Sequence, residues 1–147
     1  MAAAAGIDGK GASASTLSGI KSAKELCLAF LASERASKLV PKPPNTIDAF
    51  LVSEAALSKS TYHQLAAYAV FDHKQASGEP LAPGTAAVYV RQVVKLARET
   101  GEKLDTAAAR AFWKEEARVM PGYGLTWTGL MIQGMRDAVM EVFIKEG

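Results

Sequence analysis

The residues of this chain best suited to chemistry are His63 and His73, the single cysteine Cys27, and a basic series made of Arg91, Lys95 and Arg98. On a helix, ten residues would set the two histidines about 80° apart around the axis and about 15 Å apart along it, so they cannot share a metal ion. Cys27 stands among Leu26, Leu28 and Phe30, the setting of a buried structural thiol, and no particular serine is paired with either histidine as nucleophile and base. The chain has no HExxH, no Cys–His ligand spacing, no P-loop and no GxGxxG. Gly122-Tyr123-Gly124 reads as a helix stop. No metal, no cofactor and no catalytic residue is expected, and the chain reads as a non-enzyme.

The basic series suggests a different chemistry. Arg91, Lys95 and Arg98, at spacings of four and three, form one ridge along a helix, opposite an arc of Ala86, Tyr89, Val90, Val93, Val94, Leu96 and Ala97. Such a ridge can neutralise phosphates. A second polar group comes from the preceding helix, where Lys59 and Thr61 lead into a strip of His63, Gln64, Ala67, Phe71, Lys74 and Gln75. Antiparallel pairing of the two helices would merge strip and ridge into one patch. Thr126, Thr128, Gln133 and Arg136 add polar groups near the C-terminus, and Gln64, Thr126 and Gln133 are suited to base edges. These twelve positions form the expected DNA-binding set: Lys59, Thr61, His63, Gln64, Lys74, Arg91, Lys95, Arg98, Thr126, Thr128, Gln133 and Arg136.

Helices must position all of them. Capping residues and breakers alternate along the chain without period-two strand patterning, which predicts an all-α bundle of about five to six helices. Residues 1–19 are nearly all Ala, Gly and Ser and read as a disordered tail. Ser22-Ala23-Lys24-Glu25 fits a capping box for a first helix with Leu26, Cys27, Phe30 and Leu31 on its apolar face. Pro41-Lys42-Pro43-Pro44 then marks a linker, so 20–44 is taken as helix plus linker and 45–147 as the domain. Asn45 or Thr46 caps a short helix, and Ser60 or Thr61 caps a central helix of about four turns. Pro83 suits the first position of the ridge helix and Gly101 its left-handed C-terminal cap. A further helix runs from Asp105 or Thr106 to about Met120, burying Ala109, Phe112, Trp113 and Ala117, and Thr126 or Thr128 opens the last one. Tyr62, Leu65, Phe71, Tyr89, Val93, Met131, Met135 and Val139 are expected in the core.

Composition sets the outer bounds. The chain has 147 residues, 49% of them hydrophobic and 22% charged, enough for one domain with its own core. A net charge of +2 is too mild to announce nucleic-acid binding, so any such role rests on local clustering. One cysteine excludes an internal disulfide, and no apolar run approaches the roughly 20 residues needed to cross a bilayer. An intracellular protein of nucleus or cytoplasm, not secreted and without a membrane partner, is the expectation.

Ile47-Asp48-Ala49-Phe50-Leu51, then Leu57-Ser58-Lys59-Ser60-Thr61-Tyr62, Leu65, Phe71, Pro80-Leu81 and Val88-Tyr89-Val90 follow one another in an order that resembles the core-binding domain of tyrosine recombinases, the phage-integrase family. Leu125-Thr126-Trp127-Thr128 with Met131, Ile132 and Met135 looks like that family's next threonine-started helix. The resemblance spans residues 45–144. It implies a SAM-like helical domain that clamps one face of duplex DNA, with self-association on that DNA, while a separate catalytic domain clamps the other. No His-x-x-Arg occurs here, since His63 precedes Gln-Leu-Ala and His73 precedes Lys-Gln-Ala, and the helix expected at 105–120 is an addition to the family's pattern. The competing reading is a helical protein-interaction or adaptor domain whose basic ridge is merely solvated.

Overall fold

A computed structural model of the chain describes residues 14–119 and 125–134, with side chains from residue 19 onwards. Seven α-helices stand in it: α1 (Ala14–Leu31), α2 (Glu34–Ser37), α3 (Ile47–Leu51), α4 (Lys59–Ala67), α5 (Pro83–Leu104), α6 (Ala107–Ala117) and α7 (127–134). A 3₁₀ turn at Glu54–Leu57 links α3 to α4, and a π-helical turn at Tyr68–Asp72 ends α4. Among the described residues there is no strand, and the only β pairing is an isolated bridge between Lys74 and Pro80. The all-α expectation holds.

The spine is α5, whose 22 residues run about 33 Å. Pro83 sits in its first turn, where a missing N–H costs nothing, and Ala86, Val90, Val93, Val94 and Ala97 are buried along one face. Against that face pack α1, α4 and α6. α1 contributes Ala23, Leu26, Cys27 and Phe30, α4 contributes Tyr62, Leu65 and Ala66, and all of them share one core with the α5 valines. The Tyr62 hydroxyl donates 2.5 Å to the Ala56 carbonyl, which satisfies its buried oxygen. Its ring lies in an aromatic cluster with Phe112, Trp113 and Trp127, at centroid distances of 6.3, 6.0 and 6.4 Å.

Several sequence expectations need correction. α1 begins at Ala14, so the Ser22 box lies inside a helix already under way, and residues 14–19 are helical rather than tail. Because α1 shares the core with α4 and α5, the proline segment at 41–44 connects parts of one packed unit instead of bounding it. α4 starts one turn earlier than the hydroxyls suggested. Ser58 is its extended N-cap residue, and Thr61 points into the core at 1% exposure. Gly101 is no cap, since α5 continues to Leu104 and Asp105 takes the left-handed position at φ 52°. What requires glycine at 101 is space, because a Cβ there would stand 2.6 Å from the Trp113 indole nitrogen.

Phe71 is 48% exposed. Its place in the expected core fails because helical spacing sets it on the His63–Gln64 strip, away from Leu65 and Tyr62, and the π-helical turn, closed by the His73 N–H on the Tyr68 carbonyl at 2.9 Å, keeps it at the surface. Ala117 is exposed, and Glu116 takes the inward position beside it. Tyr62, Leu65, Val93 and Met131 are buried as expected, whereas Tyr89 is only half-buried against the core's edge. Met135 and Val139 lie outside the described residues.

Candidate functional site

One open cleft of about 330 Å³ gathers the basic ridge. α5 supplies Arg91, Gln92, Val94, Lys95 and Arg98, α6 supplies Glu116, and the start of α7 supplies Thr126, Thr128, Gly129 and Ile132. The ridge exists because arginines and lysines recur at helical spacing on α5, along the edge of its buried valine face, so that Val94 lines the same cleft. It faces a cleft because α6 returns along α5 after the Asp105 turn, with Trp113 seated on Gly101. Arg91 and Lys95 are exposed, and neither has an ion-pair partner among the described residues.

Arg98 differs from its two neighbours. Its Nη1 donates 3.3 Å to Oε1 of Glu116, whose side chain is 3% exposed. The other carboxylate oxygen accepts from the Thr128 hydroxyl at 2.6 Å. A hydroxyl has one hydrogen, and that of Thr128 is given to Glu116, so the 3.1 Å contact between Thr126 and Thr128 must have Thr126 as its donor. Thr126 Oγ1 in turn accepts from the Gly129 N–H at 3.3 Å, capping the first turn of α7. The Glu116 carboxylate thereby ends a directed chain of bonds that runs from Gly129 through Thr126 and Thr128. A carboxylate this deep needs such partners, since burial of an uncompensated charge is strongly unfavourable.

The remaining expected residues divide. The Lys59 ammonium stands over the Trp127 ring at 5.3 Å from its centroid, which brings the start of α4 to the start of α7. His63 and Gln133 are exposed on α4 and α7. Thr61 is buried and cannot touch a ligand, because the inward turn of α4 places it against the core. Gln64 is drawn to another cleft, where its Oε1 accepts from Arg35 Nη1 at 3.2 Å, and Arg35 Nε also pairs with Asp72 at 2.5 Å. Lys74 is not on the helix at all, since α4 and its π-helical turn end at Asp72. His63, Gln64 and Lys74 are not among the residues lining the basic cleft, so strip and ridge do not merge as the sequence suggested. Thr128 is 6% exposed with its hydrogen spent on Glu116, and Thr126 has spent its own on Thr128, so neither donates to a base edge. Arg136 lies outside the described residues.

Sequence reasoning missed Glu116, because periodicity assigns inward positions to apolar residues and nothing in Glu115-Glu116-Ala117 marks which carboxylate turns inward. Other titrating groups lie away from the cleft. Burial pushes the Cys27 thiol up from 9.0 to about 12. Tyr62 is raised by burial first and then by Cys27 and Glu116, while burial lowers His73. Among the described residues no three His, Cys, Asp or Glu side chains are grouped to hold a metal ion, and no helix is long and apolar enough to cross a membrane. Comparison with protein-family models, with curated proteins and with solved structures finds no match to this chain.

Proposed function

We propose that the chain is a DNA-binding helical module that holds phosphates of a duplex along α5, in the manner that its resemblance to a recombinase core-binding domain implies, and without a catalytic role of its own. The observation that carries this reading is the pairing state of the ridge. Arg91 and Lys95, one turn apart on a rigid helix, point into an open cleft without acidic partners among the described residues. Other exposed cations, Lys42 and Lys114 among them, also lack an ion pair among the described residues, but Arg91 and Lys95 stand one helical turn apart on the wall of one cleft. Two neighbouring cations on the wall of a cleft, without acidic partners among the described residues, favour a polyanion as ligand. Phosphate contacts of this kind position a protein without reading sequence.

Salt dependence tests the reading. Each phosphate neutralised contributes about −0.9 to the slope of log affinity against log salt, so Arg91→Ala with Lys95→Ala should flatten the slope by up to about 1.8 on any duplex. A fluorescence-anisotropy titration at several salt concentrations measures this. Equal affinity and equal slope for wild type and double variant would leave the adaptor reading in its place.

A further inference from the structure

The bonds behind the cleft decide how many of its cations are available. Among the described residues three cations line it, Arg91, Lys95 and Arg98, together with one anion, Glu116. The Arg98 side chain is 38% exposed, so it looks accessible, yet its guanidinium is already 3.3 Å from a carboxylate with 3% exposure. A phosphate competing for Arg98 would have to draw it off that carboxylate. Glu116 would keep only Thr128 for its buried charge, and an uncompensated charge in the core is far costlier than a lost surface contact. Arg91 and Lys95 have no such partner among the described residues.

We propose that Glu116 is a buried counter-ion that withholds Arg98 from the ligand, so that the cleft takes two phosphates of a nucleic-acid strand, on Arg91 and Lys95, and not three. The inference rests on the phosphate-binding reading above. Arg98 is then a positioning residue whose partner is Glu116, and the affinity of the cleft is set from inside the protein by a carboxylate that no ligand touches. The directed bonds from Thr126 to Thr128 to Glu116 belong to the same device, because they fix one carboxylate oxygen and leave the other facing Arg98.

The experiment uses the full chain and one labelled duplex of fixed sequence, titrated across salt. Glu116→Gln keeps a side chain of the same shape but removes the charge, so Arg98 becomes free and the slope should steepen by about 0.9. The double variant Arg98→Ala with Glu116→Gln removes both charges of the pair and should keep the wild-type slope. A wild-type slope in Glu116→Gln, or a slope flattened by about 0.9 in the double variant, would overturn the proposal. If Glu116→Gln does not fold, as its melting curve reports, the double variant alone decides. The Arg91→Ala, Lys95→Ala protein separates the two levels of inference. If its slope is that of wild type, the phosphate reading itself fails, whereas a flattened slope with no response to Glu116→Gln removes only the role of Glu116.

Discussion

Single residues in this protein carry consequences out of proportion to their place in the sequence, and Cys27 is the simplest case. It is 2% exposed, and burial raises its thiol from 9.0 to about 12. The folded chain therefore keeps the thiol neutral at a pH where the unfolded chain would ionise it. A group whose pKa is raised by folding contributes stability that is complete below the unfolded value and is lost as pH rises toward the folded one. Between those two values the loss should approach about 1.4 kcal/mol per pH unit. Urea unfolding of wild type and Cys27→Ala at about pH 8 and about pH 10 should show the wild type losing more of its stability over that interval. Parallel losses in the two proteins would mean that the thiol is solvated in the folded state. The setting of Cys27 was legible in the sequence, because apolar neighbours on both sides identify a buried position. That of Glu116 was not, since its inward turn is compensated by Arg98 and Thr128, which stand 18 and 12 residues away.

At the scale of elements, the contact of α5 with α6 is the one most sensitive to a small change. Gly101 lies in the middle of the last turns of α5, buried under Trp113. Alanine is intrinsically the better helix former by about 1 kcal/mol, so on an isolated helix Gly101→Ala would stabilise. Here the added methyl meets the indole at 2.6 Å and the ring must move. Overpacking of this kind costs about 1–3 kcal/mol, which outweighs the propensity gain, and the melting temperature should fall. A rise would show that Trp113 repacks freely. This contact was not legible beforehand, because a glycine near the end of a helical pattern reads first as a cap. Pro83 at the start of α5, Thr46 and Thr106 as side-chain caps, and the apolar arc of α5 were all readable, being local. What escaped was non-local or depended on backbone irregularity: the inward face of Thr61, the exposure of Phe71 on the π-helical turn, and the separation of Gln64 from the ridge.

At the scale of the whole molecule, α1 is the element whose place the sequence most underrated. Leu26 and Phe30 are almost fully buried in the core shared with Leu65 and Val93, so a chain begun at Asn45 would uncover the side of α5 that α1 covers. Each large apolar side chain lost from such a core costs about 2–5 kcal/mol, and losing several exceeds the roughly 5–15 kcal/mol that a domain of this size has in hand. A protein truncated to 45–147 should therefore give no cooperative thermal transition and should bind a hydrophobic dye. Cooperative melting at a temperature close to that of the full chain would restore the boundary at the prolines. The basic cleft gives one more consequence at this scale. Trp113 and Trp127, the protein's two tryptophans, are 5% and 9% exposed, and Trp127 lies between the two threonines of the cleft with Lys59 across its face. Indole emission shifts with the polarity and charge around the ring, so the protein carries its own optical label. Both fluorophores belong to the core, but Trp127 is flanked by two threonines of the cleft, where an arriving anion would change the local field.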